Sequence, residues 1–387
     1  MHLAALIQPS MPRIYLDNNA TTPVLPEVVV AMQPWWTERF GNASAVHSHG
    51  RDAREAVDHA REQVAALIGA RANEITFTGS GTEADNQAIF GTLAAGDHLM
   101  TSSIEHHAVL HAAHEAERRG AEVTIVDPDR DGVVQVDAIR AALRHNTKLI
   151  SLMLANNETG VLQPVQELAA LARERGILVH TDAVQCGGKL PIRVRDLGCD
   201  LLSLSAHKMH APQGVGALWV RRGLQIRPLL FGGPHERQRR AGTENVPGIV
   251  GFGEAASLAS AWLTTEGAEL EHKRRQFESE LLRRVAGATI HGVEVARLPN
   301  TTSVRFDGVD AEALVIAMDL RGVSISGGSA CTSGAVEPSH VLRAMGLSDA
   351  EARSTVRISM SRLTTWDELE AALTALVETV ERLRSIG

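Results

Sequence analysis

Cysteine and aromatic residues are scarce in this chain of 387 residues. It contains three cysteines, Cys186, Cys199 and Cys331, and aromatic residues make up only 3% of the sequence. An odd number of cysteines without a C-x-x-C pair argues against a fold held together by disulfide bonds. Chains of this kind are typical of reducing compartments, so we expect a cytoplasmic protein.

Positive charge and long apolar runs are lacking as well. The formal net charge is −8, whereas a nucleic-acid-binding surface is usually basic. No apolar run approaches the roughly 20 residues that span a bilayer, and the first 13 residues do not resemble a signal peptide. We therefore expect neither nucleic acid nor a membrane among the partners of this protein.

Histidine, in contrast, is plentiful, with 17 copies. Several lie close together in the first third of the sequence: His47, His49, His106, His107, His111 and His114. Such clusters can bind zinc, but solvated or helix-capping histidines explain the pattern without a metal. We expect no metal site.

From about residue 50, helical and strand-like patterns alternate along the chain. Apolar residues at helical spacing predict helices at 54–69, 82–95, 106–118, 137–144 and 164–175. Short apolar runs predict seven strands at 74–78, 98–102, 122–127, 148–154, 177–182, 201–204 and 215–220. This alternation predicts an α/β fold with a mostly parallel seven-stranded sheet covered by helices on both faces.

The pattern changes after about residue 255. A long helical stretch at 254–286 leads into a looser α+β region, with strands at 302–306 and 356–359 and helices at 310–320 and 366–384. The chain is too long for one simple core. We predict a large domain at 14–256 and a smaller domain formed by 1–13 and 257–387.

One lysine lies at the predicted end of a buried strand. Lys208 follows the strand at 201–204, and a lone lysine there would usually reach solvent or pair with a carboxylate. Here Asp182 ends another apolar strand. The stretch TGSGTEADN, at 78–86, is a glycine-rich turn that opens a helix and offers free N–H groups to a phosphate.

These three features together fit pyridoxal 5'-phosphate. This cofactor needs a lysine to hold its aldehyde as a Schiff base, a carboxylate to keep its pyridine nitrogen protonated and a phosphate site. In an open α/β sheet the carboxyl ends of the strands form the ligand site, which is where Asp182 and Lys208 are predicted to lie. We therefore predict a pyridoxal-phosphate enzyme.

Motifs along nearly the whole chain resemble those of the NifS-like cysteine desulfurases, a group of the class V aminotransferases. The stretches that carry the resemblance are YLDNNATTPV (15–24), FGNASAVHSHG (40–50), FTGSGTEADN (77–86), EHHAVLH (105–111), ANNETGVLQP (155–164), HTDAVQ (180–185), SAHKMHAPQGVGAL (205–218), RRAGTEN (239–245), GGSACTSGAVEPSHVLRAMG (327–346) and VRISMSRLTT (356–365). Their order and spacing make the resemblance specific. It implies the pyridoxal-phosphate-dependent transferase fold type I.

The resemblance implies a role for individual residues around the cofactor. Lys208 would form the Schiff base, Asp182 would pair with the ring nitrogen and Gln185 would bond to the ring oxygen. His106 would stack on the ring and serve as a catalytic proton shuttle. The residues that would hold the phosphate or lie beside the cofactor are Gly81, Thr82, Asn157, Ser205, His207 and Thr243, the last from the partner subunit of a homodimer.

Substrate binding is assigned by the same resemblance to Arg357 and Asn157, which would bind the carboxylate of L-cysteine. The planar guanidinium of arginine suits a carboxylate because two parallel hydrogen bonds form. Ordinary structural roles also fit single residues: Asp182 or Thr243 could cap a helix, and Arg357 could form an ion pair. Gly81 departs from the family pattern, in which alanine is common.

Cys331 lies among glycines and small residues in GGSACTSG, whereas Cys186 and Cys199 lie in apolar surroundings typical of structural cysteines. We predict a mobile loop on which the Cys331 thiolate attacks the sulfur of cofactor-bound L-cysteine. The products would be L-alanine and a persulfide, whose sulfur passes to an acceptor such as an iron–sulfur cluster scaffold protein. The resemblance thus implies a cysteine desulfurase for iron–sulfur cluster assembly.

Three alternatives remain open from the sequence. A selenocysteine lyase usually carries its cysteine in an Arg-x-Gly-His-His-Cys setting, unlike Gly-Ser-Ala-Cys here. An aminotransferase of the same fold would not need Cys331. A binding or scaffold protein that kept the fold would not need Lys208, so its presence argues against that alternative.

Overall fold

The computed structural model describes residues 13–327 and 337–386. The strands of this part of the chain are β1 (Ile14–Tyr15), β2 (Ile75–Thr78), β3 (His98–Ser102), β4 (Glu122–Val126), β5 (Thr147–Ser151), β6 (Leu178–Asp182), β7 (Leu201–Ser205), β8 (Gly216–Val220), β9 (Ala288–Ile290), β10 (Thr301–Phe306), β11 (Val323–Ser324), β12 (Ser326–Gly327) and β13 (Thr355–Ser359).

The α-helices of the same residues follow in chain order. They are α1 (Pro26–Met32), α2 (Pro34–Thr37), α3 (Ser48–Leu67), α4 (Gly81–Thr92), α5 (His107–Arg118), α6 (Val136–Ala142), α7 (Val165–Arg173), α8 (Val194–Leu197), α9 (Val246–Thr265), α10 (Gly267–Arg284), α11 (Ala311–Asp319), α12 (His340–Ala344), α13 (Asp349–Arg353) and α14 (Trp366–Ile386). Short 3₁₀ helices add Ala72–Glu74, Ala206–Lys208 and His235–Gln238.

The central sheet has seven strands in the order β2-β8-β7-β6-β5-β3-β4. Strands β3 to β7 run parallel to one another, and β8 pairs antiparallel with both β2 and β7. All residues of β3, β7 and β8 are buried, as expected for strands that helices cover on both faces. The predicted mostly parallel seven-stranded sheet is therefore confirmed.

A second sheet orders its strands β12-β13-β10-β9, all antiparallel. Its hydrophobic core is separate from that of the large sheet and draws on α10, α11 and α14. Leu16 also packs in this core, next to β1, which pairs with β11. We propose that this unit is the small domain, with the segment through Leu16 belonging to it rather than to the large domain.

The long helix predicted at 254–286 is two helices. Helix α9 ends at Thr265 and α10 begins at Gly267, because Glu266 between them leaves helical geometry at φ −129° and ψ −3°. Two β-branched threonines before it and a glycine after it weaken the helix at this point. The sequence prediction was wrong about the break and about the start of α9, which begins at Val246.

By length and composition alone, α9 could cross a membrane. Half of it is buried inside the protein, and it packs along α3. Its buried residues include Phe252, Ala255 and Ala256, which belong to the core of the large sheet. These contacts are those of a core helix.

Candidate active site

One cavity of about 560 Å³ lies at the carboxyl ends of β6 and β7, where the helices α4 and α5 begin. Its volume falls within the range of about 300 to 1,000 Å³ that is common for small-molecule sites. Ten residues predicted from the sequence line it: Gly81, Thr82, His106, Asn157, Asp182, Gln185, Ser205, His207, Lys208 and Arg357. The fold thus gathers in one place residues from many segments of the chain.

Lys208 lies in the 3₁₀ turn that follows β7. Its Nζ donates hydrogen bonds to the backbone oxygens of Asn19 at 2.5 Å and Ala20 at 2.7 Å. Burial and the positive charge of Arg357 lower the pKa of Lys208 to about 8. A lysine with such a pKa is partly neutral near neutral pH, as a Schiff-base lysine needs to be.

Asp182 is the last residue of β6, and it pairs in register with Ser203 on β7. Its Oδ1 accepts a hydrogen bond from the backbone N–H of Val184 at 2.8 Å. Burial raises the pKa of this carboxyl to about 6, although the Val184 N–H and the Lys208 charge oppose the shift. A carboxylate so buried gains from a cationic partner such as a pyridinium nitrogen.

The start of α4 forms a candidate phosphate site. Ser80 caps the helix by accepting from the N–H of Glu83, and the first helical N–H groups have no partners within the helix. Gly81 and Thr82 line the cavity here, together with Ser205 at the end of β7 and with His207. Helix N-termini of this kind bind phosphate through N–H groups and the helix dipole.

Gly81 also permits close packing behind the start of α4. A Cβ atom at Gly81 would lie 2.7 Å from Val184 Cγ2 and 3.2 Å from Ser205 Cβ. An alanine at this position would therefore require Val184 to shift. Glycine at position 81, where alanine is common in the family, therefore matches the close position of Val184.

His106 caps α5 with its ring. Its Nδ1 accepts the backbone N–H of Ala108 at 3.1 Å, which leaves the hydrogen of the neutral ring on Nε2. Burial and the charge of Lys208 lower the pKa of His106 to about 4. The ring is therefore neutral at physiological pH. It caps α5 and also lines the cavity.

Arg357 lies on β13 and enters the cavity from the second sheet. Its Nη2 forms an ion pair with Asp17 Oδ1 at 2.7 Å, and Nη1 donates to the backbone oxygen of Asn157 at 3.0 Å. Its buried Nε has no hydrogen-bond partner among residues 13–327 and 337–386. A buried donor without a partner is costly. Each Nη group keeps a second hydrogen, through which the guanidinium can bind an anionic ligand in the cavity.

Of the predicted site residues that the structure describes, only Thr243 does not line this cavity. Thr243 is exposed and is absent from the lining of this subunit's cavity. Cys331 lies outside the described residues. The residues at both borders of that segment, Gly327 and Glu337, line the cavity.

The other two cysteines are buried free thiols. Burial raises the pKa of both Cys186 and Cys199. Each is therefore protonated and shielded, as predicted for structural cysteines.

Several residues that surround this cavity were not predicted from the sequence. Asn19 and Asp17 lie in the stretch LDNN, and their contacts hold Lys208 and Arg357 in place. Lys189 bonds to Gln185, and Glu105 lies buried beside His106. A run of polar residues directly after a short strand was the available signal for Asp17 and Asn19.

Several histidine rings meet beside the cavity. The ring centroids of His107 and His340 are 4.7 Å apart, and those of His107 and His111 are 5.1 Å apart. Within the part of the chain that the structure describes, no group of three or more His, Cys, Asp or Glu side chains is placed to hold a metal.

The residues of the cavity fit pyridoxal phosphate. A partly neutral lysine, a buried carboxylate that would gain from a cation and a helix N-terminus match its aldehyde, its ring nitrogen and its phosphate. The guanidinium of Arg357, which also lines the cavity, matches the carboxylate of an amino-acid substrate. These features come from different segments of the chain, and they converge on one cofactor.

Comparison with known proteins agrees with this geometry. Residues 14–372 match the family model of the class-V aminotransferases. A cysteine desulfurase of Cereibacter sphaeroides is 48% identical over 97% of this chain and 98% of its own length. One from Trichormus azollae is 46% identical over 97% of this chain and 94% of its own length.

A solved structure described as a NifS-like protein superposes with a TM-score of 0.89 at 35% identity, covering 96% of this chain and all of the other. The chain belongs to the class-V aminotransferase family and, within it, to the NifS-like, pyridoxal-phosphate-dependent cysteine desulfurases.

Proposed function

We propose that this cysteine desulfurase takes the sulfur of L-cysteine onto Cys331, leaving L-alanine, and passes it to an acceptor protein. The main support for the proposal is that Lys208, Asp182 and Arg357 line one cavity. Gly327 and Glu337, the residues on either side of the segment that contains Cys331, line it too. The carboxylate of L-cysteine would bind the guanidinium of Arg357, which lines the cavity. Asn157, whose carbonyl accepts from Arg357, would hold that guanidinium in place.

The cofactor would be held by the residues of the large-sheet side. Lys208 would bind its aldehyde carbon, Asp182 its ring nitrogen and Gln185 its ring oxygen. Gly81, Thr82, Ser205 and His207 surround the space for the phosphate. When bound, pyridoxal phosphate supplies an electron sink that lets a proton leave the α-carbon of the substrate.

The protein's own groups would move the protons and the sulfur. Lys208, with a pKa of about 8, would take the α-proton. His106, neutral and with its hydrogen on Nε2, would serve as the second proton carrier. The Cys331 thiolate would attack the substrate Sγ, so that an S–S bond forms while the Cβ–S bond breaks.

This sulfur transfer balances without an external oxidant. The electron pair of the broken Cβ–S bond stays on carbon, which takes up a proton to give L-alanine. One L-cysteine and one Cys331 thiol thus become one L-alanine and one Cys331 persulfide. An acceptor thiol then attacks the outer sulfur and restores Cys331.

A homodimer would complete the site. Thr243 is exposed and outside this subunit's cavity, which suits a residue that reaches the phosphate of the partner subunit. We also propose an iron–sulfur cluster scaffold protein as sulfur acceptor and the cytoplasm as the location. The free thiols of Cys186 and Cys199 support a reducing compartment.

The test is release of sulfide and alanine from L-cysteine with a reductant, comparing wild type with Cys331→Ala and with Cys199→Ala as control. We expect equal amounts of the two products from wild type and from the control, and almost none from Cys331→Ala. All three proteins should show the same yellow cofactor absorbance. Full activity of Cys331→Ala would remove Cys331 from the mechanism and favour a lyase of the selenocysteine type.

A further inference from the structure

A second lysine, Lys189, is buried next to the cavity, and the proposed mechanism does not use it. Only 8% of its surface is exposed. Its Nζ lies 2.9 Å from Gln185 Oε1 and 3.3 Å from Asn19 Oδ1. Burial and the charge of Lys208 lower the pKa of Lys189 to about 7. A buried lysine that contacts two amide oxygens, and no carboxylate among its hydrogen-bond partners in the described chain, needs an explanation beyond charge pairing.

The chemistry of its neighbours fixes how the Gln185 amide is turned. Gln185 Nε2 lies 3.0 Å from the backbone oxygen of Asn19, which can only accept. The other end of the amide faces Lys189, which donates. Both contacts require the oxygen of Gln185 toward Lys189 and the NH₂ group toward Asn19. The reversed amide would place two acceptors against each other.

Asn19 is fixed by the same reasoning. Its Nδ2 donates to the backbone oxygen of Asn157 at 3.1 Å and to Thr301 Oγ1 at 2.8 Å. Its Oδ1 therefore faces Lys189 and the Nδ2 of Asn300. Lys189 thus meets two acceptors whose orientations are both determined, so it joins Gln185 to Asn19 in one rigid unit.

One hydrogen of the Gln185 NH₂ group is used by the Asn19 carbonyl, and the other remains available. Gln185 itself lines the cavity. We propose that Lys189 is a positioning residue: it locks the Gln185 amide with its NH₂ end toward the cofactor, so that Gln185 donates a hydrogen bond to the ring oxygen. The inference rests on the proposed function, in which Gln185 contacts that oxygen.

Locking the amide has a consequence for the bound cofactor. A hydrogen bond donated to the ring oxygen stabilises the anionic form of that oxygen and so sets the pH at which the absorbance of the bound cofactor changes. Without Lys189, Gln185 Oε1 loses its donor and only the Asn19 carbonyl still orients the amide, so the NH₂ group is held less firmly toward the ring oxygen. Cofactor affinity then falls and the midpoint of the absorbance titration moves.

The test is a double-mutant cycle on the holoenzyme without L-cysteine, using Lys189→Met, Gln185→Ala and both together. Two quantities are measured: the midpoint of the pH titration of the cofactor's visible absorbance, and the dissociation constant for pyridoxal phosphate. We expect Lys189→Met to weaken cofactor binding about fivefold, as for one lost hydrogen bond, and to shift the titration midpoint. In the Gln185→Ala background the same substitution should change neither quantity further.

An additive cycle would overturn the inference, because Lys189 would then act through its own charge. If Lys189→Met does not fold, Lys189→Gln tests the same point from the other side: it keeps a donor without the charge, so cofactor affinity and the titration midpoint should stay as in wild type, and a shift in either that persists in the Gln185→Ala background would overturn the inference. A colourless wild type would overturn the proposed function and this inference with it. A coloured wild type with an additive cycle would overturn this inference alone.

Discussion

The active-site cavity has two walls of different origin. The sheet wall, formed by Asp182, Ser205 and Lys208, comes from the ends of the neighbouring strands β6 and β7. The substrate wall, formed by Asp17, Asn157 and Arg357, joins three distant chain segments, and Arg357 comes from the second sheet. The sheet wall follows from the order of strands in the large sheet. The substrate wall forms only where the core of the large sheet meets the core of the second sheet. We propose that the sheet wall binds the cofactor and the substrate wall recognises the substrate.

The largest effect is expected from the loss of Lys208, the residue at the centre of the sheet wall. Lys208→Ala should abolish the Schiff base and lower desulfurase activity by about a thousandfold or more, as removal of a covalent catalytic group does. The visible spectrum of the purified protein and alanine release measure the two losses. Lys148→Ala, at an exposed position of β5, is the control and should retain both. Residual activity above a tenth of wild type would contradict the assignment of Lys208.

A smaller effect is expected at the substrate wall. Arg357→Lys keeps the charge but cannot form two parallel hydrogen bonds to a carboxylate, so KM for L-cysteine should rise about 10- to 100-fold. The cofactor absorbance should stay as in wild type, since the sheet wall is intact. Arg305→Lys, on β10 of the same second sheet, serves as the control. Equal loss of cofactor and of substrate affinity would show that the two walls are not separable.

The smallest effect concerns a carboxyl buried behind His106. Glu105 accepts from Ser102 Oγ at 2.7 Å and from the backbone N–H of Met153 at 2.9 Å, and burial raises its pKa to about 8. Because this pKa lies above that of an unfolded chain, the folded state holds the proton more tightly. The stability from that proton is complete below about pH 4.5 and is lost as pH rises toward 8.

Glu105→Gln keeps an uncharged side chain at all pH values and removes this dependence. We expect the free energy of unfolding of Glu105→Gln, measured by urea denaturation and taken relative to wild type, to increase from pH 5 to pH 8. The increase should be on the order of a few kcal/mol at most. Glu312→Gln, at an exposed position of α11, should show a flat difference across the same range. A flat difference for Glu105→Gln as well would mean that Glu105 ionises normally in the folded protein.

The sheet wall could be predicted from the sequence because strand ends are visible as apolar runs followed by polar residues. Asp182 and Lys208 are of this kind, and both lie at the strand ends where the alternating pattern indicated them. The substrate wall could not be predicted from local patterns. Arg357 is a strand arginine like many others, and only its resemblance to a family motif identified it.

The residues missed in the sequence act through other residues. Lys189 follows no strand end, and its partners Gln185 and Asn19 are respectively 4 and 170 residues away. Periodicity cannot indicate such contacts, since they depend on how separate segments cross in three dimensions. The break at Glu266 was missed although a local signal was present, since Thr264, Thr265 and Gly267 are weak helix formers.

The link between Asn19 and Ser359 bears on how the protein is made. The backbone N–H of Asn19 donates to Ser359 Oγ at 2.9 Å, across 340 residues of chain. The carbonyl oxygens that hold Lys208 belong to this segment. Contacts between the two ends of a chain form only after the intervening loop has closed. During translation, the Asn19–Ser359 contact and the Arg357 side chain are therefore added only after β13 has left the ribosome, so a truncated chain that ends before β13 lacks both.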